Sequence, residues 1–383
     1  MTSGFWMSSL TNIFRVMGLS EWVAAAFMVP PLCALVSPVI GGALADQRMA
    51  ANRLFVWSGL VGAVFLFGAF RSLELGWHPW WFIGLLGIYS LASGPMWGLL
   101  TMISLSHLTH GERQYPLVRM AATIGWVMGG VIGSYVLKAD ASTTAGYAAT
   151  VARVLTLIIG LMLPFTPPLG RGLSWKSLLG FDAFGLLKHR DHRVFFVVTA
   201  LFSIPLAAFY MYAPEHFRWL GNSRPTAAMT IAQVTEIVAM MFVGVVMTRF
   251  RIKVVLLWAL GLSVVRYGMS AWAGHTGIES WHFFGVALHG VCYTFYFITA
   301  QVFLDRRVEP GLRGQAQGLL SFVAGGVGPC VGAWVCGWAR HSLVDENGAG
   351  WMEFWALLAA MIAACFIGFA LFYRGGGGRA GVE

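Results

Sequence analysis

The stretch WMEFWALLAAMIAACFIGFALFY, which occupies residues 351–373, decides the class of fold for this chain. Its 23 residues contain a single charged side chain, that of Glu353. An α-helix rises about 1.5 Å per residue, so a helix of this length covers about 34 Å and exceeds the roughly 30 Å hydrocarbon core of a bilayer. The stretch therefore predicts a helix that crosses a membrane.

The rest of the chain repeats this pattern. Hydrophobic residues make up 58% of the 383 residues and charged residues 11%, and the mean hydropathy is +0.71. Soluble domains carry about 25% charged residues, so a soluble fold could not bury this much apolar surface. We predict an all-α polytopic membrane protein with eleven spans, at residues 21–45, 54–70, 79–104, 117–137, 147–166, 194–213, 226–248, 254–273, 281–303, 314–338 and 351–373.

A shorter apolar stretch precedes these spans at residues 5–16. It can form part of a helix, but it is too short to cross the hydrocarbon core. We therefore expect a truncated first membrane helix, either because the start codon is assigned too late or because the gene is an altered copy. No basic region with a small-residue cleavage site stands at the start, which argues against a cleaved signal peptide.

The longest polar break divides the helices into six and six, when the partial first helix is counted. We predict a six-helix half at residues 1–166, a cytoplasmic central loop at 167–193, a second six-helix half at 194–373 and a flexible tail at 374–383. Apolar residues between Trp175 and Lys188 are spaced as in a helix that lies on the membrane surface. Two halves of six helices are typical of the major facilitator fold.

The basic residues alternate between the predicted loops instead of forming one patch. The formal charge is +9, and 16 of the 25 Lys and Arg fall in loops on the side of the C-terminus, whereas 6 fall on the other side. Because cytoplasmic loops carry the excess of Lys and Arg, we predict a bacterial inner-membrane protein with a cytoplasmic C-terminus. A nucleic-acid-binding protein would need these charges on one solvated face.

Sequence signals of enzymes and of metal or nucleotide sites are missing. The five cysteines lie in apolar stretches without C-x-x-C spacing, and no group of His, Cys, Asp and Glu has the spacing of a metal site. The G-x-x-x-x-G-K-[ST] motif of ATP-driven pumps is also missing. We expect no enzymatic activity, no metal and no cofactor.

A weak internal repeat lies where two helices end. Gly42, Asp46 and Arg48 follow the pattern G-x-x-x-D-x-R, and Gly244 and Arg249 belong to the pattern G-x-x-x-T-R that begins 202 positions later. A small residue allows helices to approach closely, and basic residues stay at the cytoplasmic face. We interpret both segments as a structural loop motif.

Glu236 is the most telling polar residue inside a span. It lies near the centre of residues 226–248, and Gln233 shares its helix face at a spacing of three. A charge at the middle of a bilayer costs about 2.5–3.5 kcal/mol, so this carboxyl suits reversible protonation during transport. The alternative is a neutral glutamic acid that is hydrogen-bonded permanently inside the bundle.

Arg119, Thr123 and Trp126 share one face of a predicted helix. A cation, a hydroxyl and an aromatic ring could bind a polar, ring-bearing solute by hydrogen bonding and stacking. The alternative is an arginine that reaches the interface above a packed tryptophan. His289 and Tyr293 are neighbours at a spacing of four on another helix, where an aromatic stripe suits packing as well as binding.

Two further arginines lie in apolar stretches. Arg266 is deep within its span, whereas Arg153 is closer to an edge. For Arg153 we favour the role of a structural counter-charge, and the role of Arg266 stays open.

Several strings in order resemble one family, the bacterial nucleoside:proton symporters of the major facilitator superfamily. The resemblance runs from about residue 20 to the end. Its strings are the loop 174–188, Val118-Arg119-x-x-x-Thr123-Ile-Gly-Trp126, Gln233-x-x-Glu236, Arg249-x-x-Ile-Lys253, Arg313-x-x-Ala-Gln317-Gly318 and Pro95-x-x-Gly98-Leu99.

The resemblance implies a substrate site that contains Arg119, Thr123, Gln233 and Glu236, with the proton carried by Glu236. The chain also departs from the family. Trp126 replaces a phenylalanine, His289 replaces a tyrosine, Tyr293 keeps an aromatic position, and Thr294 stands where an aspartate is usual. On the seventh helix, polar family positions fall on Ala207 and Tyr210.

The resulting hypothesis is a monomeric secondary transporter that takes up nucleosides, or related solutes with a ring and a ribose, together with protons by alternating access. Its partners would be the solute, protons and the lipid bilayer, with no nucleic acid. One alternative keeps the fold and changes the solute to a sugar, an organic anion or an exported compound. Another is a membrane sensor that transports nothing.

Overall fold

The structure is a computed structural model that describes residues 1–7, 9–170, 177, 179–345 and 347–375. In these ranges every regular element is a helix. The part of the central loop at residues 171–176, Leu178 and the tail from residue 376 lie outside the described residues, so the surface helix predicted from Trp175 onward is described only in part.

The described residues form thirteen helices that we number in order. Ten of them, α3–α6 and α8–α13, are long and apolar enough to cross a membrane by length and composition. The helices are α1 (Thr2–Trp6), α2 (Leu10–Val16), α3 (Ser20–Gln47), α4 (Ala51–Glu74), α5 (Pro79–His107), α6 (Gly111–Val136), α7 (Thr144–Gly160), α8 (Arg190–Trp219), α9 (Thr230–Arg249), α10 (Ile252–Thr276), α11 (Glu279–Arg307), α12 (Pro310–Leu343) and α13 (Trp351–Phe372). Short helical turns lie at Phe181–Lys188 and Pro225–Ala228. The predicted all-α polytopic class is confirmed.

Two boundaries differ from the prediction for identifiable reasons. The span predicted at 147–166 ends as helix α7 at Gly160, because Pro164 and the prolines that follow cannot continue a helix. Helix α6 begins at Gly111 rather than at residue 117, because polar residues at the water-facing end of a membrane helix remain helical although they are not apolar.

The apolar stretch at residues 5–16 is not one helix. It forms the end of α1 and the whole of α2, which are separated near Ser9. Phe5, Trp6, Leu10, Ile13 and Phe14 are all buried. The glycine face of α6 receives α1, since a Cβ atom at Gly129 would lie 2.6 Å from the carbonyl oxygen of Met1.

Several long helices contain irregular turns. Helix α3 is interrupted at Leu35 and Val36, after two prolines, and α5 is interrupted at Gly94 and Pro95. Helices α6, α11 and α12 contain π-helical turns, at Ile132–Val136, Thr294–Ile298 and Phe322–Val327. Such turns are frequent at functional sites because they release backbone groups and redirect side chains.

The described chain packs as two compact units. Unit 1 consists of residues 1–109, 118–184 and 308–322, and unit 2 consists of residues 110–117, 185–307 and 323–383. Helices α6 and α12 each contribute a short first segment to one unit and the remainder to the other.

Candidate substrate-binding and proton-coupling residues

Glu236 lies in unit 2, near the middle of α9, and only 8% of the residue is exposed. Its backbone is held tightly against α11 at Gly290. A Cβ atom at Gly290 would lie 2.2 Å from the amide nitrogen of Glu236, so only glycine allows this approach. The Thr235 hydroxyl donates to the carbonyl of Ala287 at 2.6 Å, and Thr294 donates to the carbonyl of Glu236 at 3.4 Å. Glu236 is therefore attached to α11 where the π-helical turn begins.

A second group of polar side chains in unit 2 joins three helices. An Arg266 Nη1 group of α10 donates to Nδ1 of His289 on α11. Nε2 of the same histidine lies 3.3 Å from the hydroxyl of Tyr210 on α8. Arg266 and His289 are 3% and 1% exposed. These three side chains form a chain of hydrogen bonds that starts from a buried cation.

Aromatic rings hold this histidine in place. The rings of Phe209 and His289 are parallel, with an interplanar angle of 7° and centroids 3.8 Å apart. The ring of Tyr293 lies on the histidine at 5.7 Å, so the predicted pair at a spacing of four is a stacked pair. Gln233, one turn before Glu236, is half-buried.

In unit 1, the guanidinium of Arg119 stacks on a tryptophan of α5. Its central carbon lies 3.7 Å from the centroid of the Trp97 ring, within the range of a cation–π contact. Thr123 is buried and Trp126 is exposed. Arg119 therefore lies on an aromatic ring, as the predicted helix face suggested. The ring is that of Trp97, however, and not that of Trp126.

Trp97 and Tyr210 are the partners that sequence reasoning missed. Trp97 lies inside the family string Pro95-x-x-Gly98-Leu99. Tyr210 occupies a polar family position on the span predicted at 194–213, which is helix α8 in the structure. The resemblance therefore marked both positions. It did not indicate that Trp97 contacts Arg119 or that Tyr210 is hydrogen-bonded to His289.

Arg153, which we expected to be a structural counter-charge, is buried in unit 1 against a hydroxyl and a ring. It donates to the Ser93 hydroxyl and lies 5.5 Å from the centroid of Tyr89. A Cβ atom at Gly62 would lie 2.7 Å from its Nη2 atom, so the glycine provides the space for the guanidinium. Arg153 forms no ion pair with any carboxylate in the described ranges.

The first copy of the loop motif connects α3 to the start of α12 inside unit 1. Asp46 is fully buried, and its two carboxylate oxygens accept hydrogen bonds from the amides of Gly314 at 2.9 Å and Gln315 at 2.8 Å. A Cβ atom at Gly42 would lie 2.2 Å from the Gly314 carbonyl oxygen. The carboxylate thus caps free amides at a helix N-terminus, where the helix dipole also favours a negative charge.

The second copy of the motif makes a different contact inside unit 2. Gly244 packs on the backbone of Arg113 near the start of α6, whereas the hydroxyl of Thr248 bonds within its own helix at 2.8 Å. Arg48 and Arg249 are exposed. The start of α6 is held by other side chains, since Glu112 pairs with Arg306 and the Tyr115 hydroxyl donates to Gln301 at 2.8 Å.

No group of three or more His, Cys, Asp or Glu side chains that could hold a metal ion occurs in the described part of the chain. The site candidates are a buried carboxyl, arginines and aromatic rings, which suit the binding of a polar solute with rings.

Comparison with known proteins agrees with a site that binds a polar solute with rings. A family model described as nucleoside H+ symporter matches residues 1–376. YegT of Escherichia coli (strain K12) is 30% identical over 364 residues, which cover 90% of this chain and 83% of that protein. The nucleoside permease NupG of the same organism is 23% identical over 398 residues, with coverage of 97% and 92%.

Solved structures share the fold. The crystal structure of the nucleoside transporter NupG superimposes with a TM-score of 0.68 at 21% identity and covers 97% of this chain and 96% of that one. The proton:xylose symporter XylE, a member of the major facilitator superfamily, superimposes with a TM-score of 0.71 at 17% identity, with coverage of 97% and 92%. These likenesses show a major facilitator fold.

Proposed function

Because this chain belongs to the nucleoside H+ symporter family, a family of membrane transporters and not of enzymes, we propose that it takes up a nucleoside together with a proton by alternating access and that Glu236 carries the proton. We place the protein in a bacterial inner membrane, as a monomer with its C-terminus in the cytoplasm, because positive residues prevail in the loops on that side.

The observation that carries the proposal is the position of Glu236. Its carboxyl belongs to a residue that is 8% exposed, in the middle of a membrane-spanning helix. A charged carboxylate there costs about 2.5–3.5 kcal/mol, and protonation removes that cost. Protonation of Glu236 would therefore change which conformations of the transporter are accessible, and this is the requirement for coupling solute movement to a proton.

The substrate contacts that we propose are hydrogen-bonding side chains and aromatic rings. Arg119, Thr123 and Gln233 supply hydrogen bonds suited to a ribose and to the polar edge of a base. Trp126 and Tyr293 supply aromatic faces on which a planar base can stack. His289 contributes to the site through Tyr293, because the two rings are stacked on each other.

The decisive experiment is uptake of radiolabelled uridine and adenosine by cells that express the full-length chain, with and without a proton gradient. Wild-type protein should accelerate uptake, and a protonophore should abolish the accumulation. Glu236→Gln keeps the size of the side chain but cannot release a proton, so accumulation should be lost while exchange of nucleoside across the membrane persists.

Glu353→Gln is the matched control, because Glu353 is an exposed carboxylate in the first turn of α13. It should transport like the wild type. Proton-driven accumulation that survives in Glu236→Gln would show that another group carries the proton. Failure of the wild type to transport any nucleoside would refute the proposed substrate.

A further inference from the structure

We propose that Arg266 and His289 hold the Tyr210 hydroxyl as an obligatory hydrogen-bond donor, so that unit 2 selects nucleosides whose base offers a carbonyl oxygen over those that offer an amino group. This inference rests on the proposed function, and it goes further because it names the base chemistry and the residues that decide it.

The direction of the hydrogen bonds follows from the chemistry of the arginine. A guanidinium carries only donors and remains protonated in proteins. Since Arg266 donates to Nδ1 of His289, that nitrogen must present a lone pair. A neutral imidazole with a lone pair on Nδ1 carries its hydrogen on Nε2. The Arg266 contact thus selects a single tautomer of His289.

The same reasoning extends to Tyr210. Nε2 of His289 donates to the Tyr210 oxygen across 3.3 Å, so the hydroxyl hydrogen of the tyrosine cannot be directed at the histidine. The opposite direction, with the hydroxyl donating to Nε2, would place a hydrogen on Nδ1 facing the hydrogen of Arg266. Tyr210 must therefore donate to something other than His289.

Packing keeps this direction from inverting. The imidazole is stacked on Phe209 at 3.8 Å, which fixes the plane of the ring. The guanidinium of Arg266 lies over two further rings, 4.2 Å from the centroid of Tyr267 and 4.8 Å from that of Phe209. Since Arg266 and His289 are almost fully buried, water does not compete for their hydrogen bonds.

Tyr210 is placed to use this hydrogen on a ligand. Arg266 and His289 are buried, whereas the Tyr210 residue is 54% exposed. Among the described residues, His289 is the only hydrogen-bond partner of the Tyr210 hydroxyl. It lies close enough to Glu236 and Tyr293 to interact with them electrostatically. Because Glu236 and Tyr293 belong to the proposed substrate site, the Tyr210 hydroxyl lies where a bound nucleoside could accept its hydrogen.

The bases of common nucleosides differ in the group that such a donor would meet. Uracil and hypoxanthine carry a carbonyl oxygen where cytosine and adenine carry an amino group. A carbonyl accepts the hydrogen of Tyr210, whereas an amino group opposes one donor to another and leaves both without a partner. Two buried donors that face each other without an acceptor reduce the affinity for the nucleoside by about tenfold or more.

The test compares matched nucleosides on the full-length chain: uridine against cytidine, and inosine against adenosine. Transport and ligand-induced thermal stabilisation should both favour the carbonyl member of each pair by about tenfold or more. Tyr210→Phe should remove the preference by weakening uridine and inosine while leaving cytidine and adenosine nearly unchanged. His289→Gln, which can accept from Arg266 and donate to Tyr210, should retain more of the preference than His289→Phe.

Tyr212→Phe is the matched control, because Tyr212 lies two residues along α8 and packs edge-on against Phe354 instead of contacting His289. It should keep the wild-type preference. Equal transport of both members of each pair by the wild type, or an unchanged preference in Tyr210→Phe, would overturn the inference while leaving nucleoside transport intact. Absence of nucleoside transport and of thermal stabilisation by all four would refute the proposed function and this inference with it.

Discussion

Replacing Asp46 with asparagine tests the clamp between α3 and the start of α12. The carboxylate accepts two backbone hydrogen bonds, at 2.9 Å and 2.8 Å, and is fully buried. Asparagine keeps one oxygen but presents an NH2 group to the second amide, so one bond is replaced by two opposed donors. The positive helix terminus also loses its negative neighbour.

The expected loss follows from these contacts. A hydrogen bond to a charged group contributes about 1.5–3 kcal/mol, and the charge at the helix terminus contributes about 0.3–1 kcal/mol more. Asp46→Asn should therefore destabilise the protein by about 2–4 kcal/mol. Thermal unfolding of the detergent-purified protein, followed by circular dichroism and by the fluorescence of a thiol-reactive dye, measures the change.

The control for this variant is Asp140→Asn. Asp140 is exposed and accepts one hydrogen bond, from Ser134 at 2.8 Å, so its replacement should cost less than about 0.5 kcal/mol. If Asp46→Asn were as stable as the wild type, the carboxylate would not be holding the helix start and the reasoning would be wrong.

Two further changes test the proposed site. Gly290→Ala introduces a Cβ atom 2.2 Å from the backbone nitrogen of Glu236, so α9 must move away from α11, and proton-driven nucleoside uptake should fall at least tenfold in a transport assay. Trp97→Leu removes the ring under Arg119, a contact worth about 0.5–2 kcal/mol, and should raise the KM for nucleoside uptake by about 2- to 30-fold with little effect on the maximal rate.

Each of these variants has a matched control. A Cβ atom at Gly84 would meet nothing within 4 Å, so Gly84→Ala should transport normally. Trp57 is exposed on α4, and Trp57→Leu should leave the KM unchanged. Normal uptake by Gly290→Ala would show that the helix contact is not needed. An unaltered KM in Trp97→Leu would separate Arg119 from substrate binding.

The spans were predictable because insertion into a bilayer depends on the hydropathy of about 20 consecutive residues, which is a local sum. The end of the span predicted at 147–166 was wrong for a reason that is also local in sequence. Hydropathy does not detect that Pro164 cannot continue a helix, so the apolar stretch extends past the end of α7 at Gly160. The stretch at residues 5–16 was recognised as helical and too short to span, but hydropathy does not reveal the break between α1 and α2.

The candidate site was predictable only as a set of residue types. Glu236 was evident because a carboxyl in an apolar span is costly wherever its neighbours lie. The resemblance to a family added Arg119 and Gln233, but it could not place Arg119 on Trp97, because the two residues belong to different helices.

The sequence by itself therefore determined the membrane class, the approximate positions of most spans and the presence of ionisable groups inside them. Only the tertiary structure decided which groups meet. Arg266, His289 and Tyr210 stand on three helices and are far apart in the chain, yet their order of contact sets the direction of every hydrogen bond between them. A hydrogen bond has a donor and an acceptor end, and for a histidine these ends are assigned by its neighbours in space rather than by its neighbours in sequence.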